Sequence, residues 1–330
     1  MASVEGDPRP VGDGSLYNHL MIFTWLGVIH VVLAVAAAAL YSLPHPAAVA
    51  VVAMLVALSL TPVREPYPRW GMAIAAAITK AAVEYFPQSL EFEDEAGFLD
   101  AAKKGTPSVI GLEPHSVLPL SIVGFGDYFY FTESTPRCVR NARALATGAI
   151  FTFPVLRQLW TWLGLDPISR RKMRQLLEEK RTVLIIPGGV AECLEMRHGV
   201  ETLYLRKRFG FVKLAIQTGA QLVPAFTFGQ SETYKYWRLG PPFCPEKVVA
   251  AIADVVKFAP MFFWGKWGTP IPFQARMNTV VGKAIPVVKN ENPTNEEVAA
   301  KLDEFINAME ELFMKHRERF GAGKTQLVVL

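Results

Sequence analysis

Ser108-Val109-Ile110-Gly111-Leu112-Glu113-Pro114-His115-Ser116 reads as a short apolar strand, Ser108 to Leu112, running straight into a turn that carries a carboxylate, an imidazole and a hydroxyl. A helical run, Val117 to Val123, follows it. A strand that ends where a helix opens is the place where α/β proteins collect their chemistry. The pattern recurs downstream. Thr182 to Ile186 and Gln221 to Phe228 read as further strands, and Ser169 to Lys180 and Phe209 to Thr218 as helices between them. Alternation of this kind predicts an α/β body built on a sheet with flanking helices. The last helix is marked by Val298, Leu302, Phe305, Ile306, Met309, Leu312 and Phe313 at three- and four-residue steps, with Thr294 and Glu297 as a capping box.

His115 is the lead catalytic candidate. A hydroxyl is a poor nucleophile until a base takes its proton, and an imidazole at a strand end suits that task. The competing reading is a capping or core imidazole. Ser116 reads as a helix cap, because neighbouring residues diverge at a helix start and His115 cannot deprotonate it. The second constellation is Leu184-Ile185-Ile186-Pro187-Gly188-Gly189-Val190-Ala191-Glu192, again a strand entering a tight turn. Amides of Gly188 and Gly189 can face a carbonyl that gains negative charge, each such donor being worth about 3 kcal/mol. Glu192 then orients His115 or binds the acceptor; the plainer reading is an ordinary Gly-Gly turn. Basic residues gather at Arg170, Arg171, Lys172 and Arg174, and at Arg206, Lys207, Arg208 and Lys213, where they meet a phosphorylated co-substrate, anionic headgroups or only solvent.

The chain has 330 residues, 51% of them hydrophobic and 19% charged, with a net charge of +4. Soluble domains carry about 25% charged residues, so the deficit points to surface covered by a membrane. From Leu20 to Leu43 there are 24 residues without Lys, Arg, Asp or Glu. As a helix they reach about 36 Å, enough for a hydrocarbon core of about 30 Å. Pro44-His45-Pro46 interrupts, and Ala47 to Leu60 adds a shorter apolar arm, so a hairpin is expected. Arg9, Arg64, Arg69 and Lys80 flank the arms, which puts both termini and the body in the cytosol. Trp70 to Tyr85 is expected to lie along the interface, and the acidic stretch Glu91, Glu93, Asp94 and Glu95 to be a solvated face. The aromatic segments Ala149 to Leu165 and Phe258 to Trp267 suit interfacial docking or an acyl groove. The expected organisation is a disordered tail over 1–19, a membrane hairpin over 20–62 and an α/β domain over 63–330.

Cys138, Cys193 and Cys244 are too scattered for a disulfide framework or a metal site, so free thiols and no metal are expected. Gly124-Phe125-Gly126 is followed by Phe129 where a dinucleotide fingerprint needs glycine, and no Walker sequence or nucleic-acid module occurs, which excludes nucleic acid as a partner.

Four signatures in order, Tyr85-Phe86-Pro87, Glu113-Pro114-His115-Ser116, Gly188-Gly189-Val190-Ala191-Glu192 and Arg208-Phe209-Gly210-Phe211, resemble those of the type 2 diacylglycerol acyltransferase family, which includes monoacylglycerol and wax-ester acyltransferases. The resemblance implies a glycerolipid-acyltransferase-like mixed sheet and transfer of an acyl chain from acyl-CoA to diacylglycerol, with acyl-CoA as co-substrate and no cofactor. It implies His115, Glu113 and Glu192 as catalytic residues, Gly188, Gly189, Arg208 and Lys213 on the oxyanion and donor side, and Tyr85, Phe86, Pro87, Pro114 and Ser116 as structural positions of the motifs. It also implies an endoplasmic reticulum membrane protein that reaches lipid droplets; self-association is left open. Two departures stand out. Animal members have His at the position of Glu113 and Gly at that of Ser116, so a two-histidine mechanism is excluded. Wider glycerolipid acyltransferases place Asp five residues after the catalytic His; here that residue is Leu120, leaving Glu113 or Glu192 to orient the ring, or nothing. A ping-pong route through Cys193 is the rival mechanism, and a lipid-droplet hairpin protein without turnover the rival function.

Overall fold

In the computed structural model, residues 14–132 and 135–330 are described. Their strands are β1 Gln88–Phe92, β2 Ser108–Glu113, β3 Arg143–Ala146, β4 Leu165–Pro167, β5 Thr182–Ile185, β6 Val200–Leu203, β7 Gln221–Phe228, β8 Lys235–Arg238, β9 Met261–Trp264, β10 Met277–Val281 and β11 Gln326–Val329. Seven form one sheet in the order β1-β10-β7-β2-β5-β3-β4. It is mixed: β10 runs antiparallel to β7, while the other pairings are parallel. β2 lies near the centre and all six of its residues are buried. A strand covered on both faces reads as a continuous apolar run, which is why Ser108 to Leu112 shows no alternation.

The two faces carry different cores. Val109 belongs with Met173, Leu176, Phe211, Phe305 and Phe313, contributed by helices Arg170–Glu178, Phe209–Thr218 and Asn295–His316. Its neighbour Ile110 points the other way, into Phe98, Phe125 and Phe129. The final helix buries all seven of its expected positions, and its capping box closes with Glu297 N–H donating to Thr294 Oγ1 at 3.1 Å and Thr294 N–H to Glu297 Oε2 at 2.8 Å. The acidic stretch is not simply solvated. Glu91 takes both guanidinium nitrogens of Arg319, at 2.7 and 2.9 Å, and Glu93 takes Lys315 at 2.7 Å and His316 at 3.0 Å, which fastens this helix to β1.

The first apolar helix starts earlier than its composition suggests, at Leu16, and runs to Tyr41 through a π-helical turn at Phe23–Gly27. Thus the last residues of the 1–19 stretch are ordered in helix; residues 1–13, with Arg9, lie outside the described residues. At 26 residues the helix is long and apolar enough to cross a membrane. Its foot is a different surface. Ile22, Trp25 and Leu26 are buried against Ile78, Ala82, Tyr85 and Phe86. Beyond this foot Val31, Leu33, Val35 and Leu40 stand exposed, as do Leu16 and Leu20 before it. Pro46 opens the second helix, Pro46–Leu60, instead of merely breaking the first, because a proline at the first helical position loses no hydrogen bond. Its far end is tied to the body: Gln158 Nε2 donates to the Leu58 carbonyl at 2.9 Å and Arg157 to that of Ser59. Helix Arg69–Tyr85 packs one face into the core, with Ile78, Ala81, Ala82 and Tyr85 fully buried, while Trp70 and Ile74 stand exposed on the other.

Candidate active site

The two chemistry-bearing turns meet because β2 and β5 are parallel neighbours, with Gly111 opposite Ile185. Their carboxyl ends therefore leave the sheet side by side. Glu113 is the last residue of β2 and not the first beyond it, and its Oε1 accepts the Gly188 N–H at 2.9 Å. Glu192, on helix Gly189–Glu195, accepts the His115 N–H and, through Oε2, the Tyr204 N–H at 3.1 Å. Both carboxyls are fully buried. Burial, then the charge of Glu192 facing it, pushes Glu113 well above the usual carboxylate range, and burial lifts Glu192 to about 7. Of the pair, Glu113 is pushed up further and holds its proton the more tightly. The space is filled: a Cβ on Gly188 would lie 1.9 Å from Glu192 Oε2.

This corrects the sequence expectation in two respects. No carboxylate orients the His115 ring; Glu192 fixes the backbone of that residue instead. Nor is the Gly188 amide free for an oxyanion, since Glu113 already takes it. Gly189 differs, with φ +56° and no atom within 4 Å of where a Cβ would stand, so its outer face is open.

The ring is oriented by main chain. His115 Nδ1 lies 3.0 Å from the Ser116 carbonyl. A carbonyl only accepts, so Nδ1 carries the hydrogen and Nε2 keeps its lone pair. Burial lowers the imidazole pKa, keeping it neutral and able to act as a base. Ser116 reaches this position with φ +55°, in the left-handed region that costs a non-glycine residue about 1 kcal/mol. That backbone explains why glycine suits the position in the resembling animal proteins. It also removes Ser116 from helix capping: the helix expected from Val117 begins at Ile122, and Ser116 Oγ is buried without a partner. Leu120 is packed in the core at 1% exposure, so it offers the ring nothing polar.

Cys193 Sγ lies 3.1 Å from His115 Nδ1, within reach of a dyad. The chemistry opposes one. Burial, then the Glu192 carboxylate, raises the thiol, which donates to the Ser116 carbonyl at 3.3 Å, while Nδ1 already holds a hydrogen. The Arg208 guanidinium grips the Gly188 carbonyl at 2.6 Å and lies over the Tyr204 ring at 4.9 Å. Lys213 is half-buried on helix Phe209–Thr218, away from these contacts. Tyr85 and Phe86 are fully buried, Tyr85 donating to the Pro272 carbonyl at 2.6 Å, and the Pro87 carbonyl accepts from Met277 at 2.9 Å where β1 joins β10. The aromatic segments diverge: Trp162 is buried edge-on to Trp70, whereas Phe262 and Trp267 are exposed. Sequence reasoning missed Gln230, at the end of β7. Its Oε1 accepts from Ser121 N–H at 3.0 Å and Oγ at 2.6 Å, and its Nε2 donates to the carbonyl of Pro114, bracing the His115 turn from the third strand end.

Buried acids give the molecule a pH signature. Glu192 and Glu201 both titrate near 7 because burial penalises their charge. Folding therefore takes up protons between the ordinary carboxylate value of 4.5 and about 7. The stabilisation from these groups is complete below 4.5 and lost as pH rises through 7. Thermal unfolding between pH 5 and 8 should show a Tm that falls with rising pH, and Glu201→Gln should flatten that fall.

Several known proteins resemble this chain. The family model described as diacylglycerol acyltransferase matches residues 46–330, from the second apolar helix to the end of the chain. Acyl-CoA wax alcohol acyltransferase 2 of Mus musculus is 34% identical over 233 residues, 67% of this chain and 69% of that protein. Diacylglycerol O-acyltransferase 1 of Schizosaccharomyces pombe is 32% identical over 72% of this chain and 69% of its own length. Diacylglycerol O-acyltransferase 2 of Homo sapiens is 32% identical over 67% of this chain, and the match spans 59% of that protein. Among solved structures, the 1-acyl-sn-glycerophosphate acyltransferase PlsC from Thermotoga maritima superposes over 90% of this chain and 93% of its own, with a TM-score of 0.44 and 13% identity. With a family match over most of its length, and His115 and the Gly188 turn joined at the ends of adjacent strands, the chain belongs to the diacylglycerol acyltransferase family.

Proposed function

We propose that the chain transfers an acyl group from acyl-CoA to the free hydroxyl of diacylglycerol, giving triacylglycerol and CoA. The observation that carries this is the 3.0 Å contact between His115 Nδ1 and the Ser116 carbonyl, which puts the ring hydrogen on Nδ1 and leaves Nε2 free. Nε2 takes the proton of the acceptor O–H as the oxygen attacks the thioester carbonyl. The C–S bond breaks, and the leaving CoA sulfur recovers that proton from the imidazolium. The Gly189 amide, the uncommitted member of the glycine pair, faces the developing oxyanion. With Arg208 bound to Gly188, Lys213 is the motif cation assigned to the CoA phosphates. An apolar crevice between the foot of the first helix and the body, lined by Trp25, Ile122, Phe125, Phe129 and Trp160, matches an acyl chain in chemistry; it has about 30 Å³ of open space, so these side chains must move apart to admit one. The apolar hairpin anchors the body in the endoplasmic reticulum membrane with both termini and the active site toward the cytosol, and allows passage to lipid droplets.

Purified protein given radiolabelled acyl-CoA and diacylglycerol should form labelled triacylglycerol; label released only as free fatty acid would contradict the reading. A long-chain alcohol as acceptor is the second reading, favoured by the wax alcohol relative. It predicts wax ester as the main product when both acceptors compete.

A further inference from the structure

Strands β8 and β9, with helix Glu246–Val256 between them in the chain, carry an apolar outer surface that the transfer step leaves unused. A surface helix ordinarily turns its one apolar stripe into the core. At about 100° per residue, Val248, Ile252, Val255 and Val256 share a face that adjoins Val249 and Ala253, with Lys247 and Asp254 on the far side. Here only Val249 and Ala253 are buried, and the wider part of the stripe faces outward, Val255 at 81% exposure. The hairpin extends this surface. Trp237, Phe262 and Trp264 stand exposed on one side of it, with the Trp237 and Phe262 rings stacked at 5.7 Å. Arg238 donates to Glu246 Oε1 at 3.1 Å, which ties the start of the helix to β8. Apolar patches of this breadth mark an interaction surface.

The position of the unit identifies what covers it. Its inner side packs on the membrane anchor: Tyr236, Met261 and Phe263 join the cluster that holds Ile22 and Trp25 of the first apolar helix. Just past β9, Trp267 lies 5.4 Å from the ring of His19, on the same helix as the exposed Leu16 and Leu20, and is itself 75% exposed. We propose that the outer surface is a second membrane contact, resting in the cytosolic leaflet of the bilayer that the anchor enters. Helix Glu246–Val256 then lies in the membrane plane with its outward stripe about 5–10 Å below the headgroups. Trp237, Trp264 and Trp267 sit at headgroup level, where an indole is half wet and half dry. The proposal rests on the membrane reading given above. Gln230, which braces the His115 turn, comes shortly before β8 in the chain, so this contact holds the reaction centre against the leaflet that supplies a lipid acceptor.

The test uses the full chain in phosphatidylcholine proteoliposomes, with an environment-sensitive fluorophore at Val255→Cys in a Cys138→Ser, Cys244→Ser background; Cys193 is buried and stays unlabelled. The fluorophore should emit to the blue of its position in water. It should lose more fluorescence to phosphatidylcholine spin-labelled near the headgroup than to lipid spin-labelled at the chain end. Phe262→Cys, on the hairpin, gives an independent reading and should respond alike. A label at Val35→Cys reports the anchor and should be quenched by spin-labelled lipid. Quenching of the Val255 and Phe262 labels by aqueous iodide and not by lipid, with the Val35 label quenched by lipid, overturns the second contact and leaves the anchor standing. A blue shift that disappears as protein is diluted in lipid, without quenching by spin-labelled lipid, assigns the surface to a second copy of the chain and also overturns the proposal. A Val35 label untouched by lipid would overturn the membrane reading, and the proposal with it.

Discussion

His115→Ala is expected to lower kcat for triacylglycerol formation by about 10²- to 10⁴-fold, the range that general-base catalysis contributes. The fold should hardly notice. The ring hydrogen-bonds to the adjacent Ser116 carbonyl and touches Cys193, while the turn itself is held through backbone groups: the His115 N–H on Glu192 and the Pro114 carbonyl on Gln230. Losing one local side-chain bond costs about 1 kcal/mol, so the melting transition should stay sharp and near the wild-type temperature. Loss of turnover in a well-folded variant separates a base from a packing residue. Retained turnover would leave the site without its central group.

The second large effect divides two carboxyls that look alike in the sequence. Glu192→Gln should cost on the order of 3 kcal/mol of stability and most of the activity. Glu192 has only acceptors to offer, and it is surrounded by donors: the His115 and Tyr204 amides and the protonated Glu113 carboxyl. An amide NH₂ in its place faces at least one of them donor to donor, in full burial. Glu113→Gln should be tolerated. A protonated carboxyl and a carboxamide present the same pattern, one oxygen accepting from Gly188 and one donor toward Glu192. Kinetics and thermal unfolding of the two variants check this directly. The opposite result, with Glu113→Gln inactive and Glu192→Gln active, would put the shared proton on Glu192.

What the sequence disclosed and what it hid follow from the range of the interactions. The strands Ser108 to Leu112, Thr182 to Ile186 and Gln221 to Phe228 and the capped final helix are written in neighbouring residues, by apolar runs, period and caps. That His115 and the glycine turn share a site was legible for the same reason: both follow buried strands, and parallel neighbours end at one edge. The partners of those groups were not legible. The bond from the His115 amide to Glu192 joins residues 77 apart, and that from Gln230 to the Pro114 carbonyl residues 116 apart, so each depends on register across the sheet. The missing carboxylate at Leu120 invited a search for a substitute acid. A left-handed Ser116 supplies a backbone carbonyl instead, which side-chain chemistry alone does not announce. The foot of the first apolar helix was hidden as well, since Ile22, Trp25 and Leu26 are as apolar as the residues beyond them but pack on protein.

In the proposed mechanism one imidazole activates the acceptor for direct attack and no acyl group rests on the protein. Rapid quenching of protein mixed with radiolabelled acyl-CoA tests it most directly, first without acceptor and then with diacylglycerol. The expected result is no label on the denatured polypeptide in either case, labelled triacylglycerol only when acceptor is present, and the same outcome for Cys193→Ser. Label accumulating on wild-type protein before acceptor is added, and absent from Cys193→Ser, would contradict it.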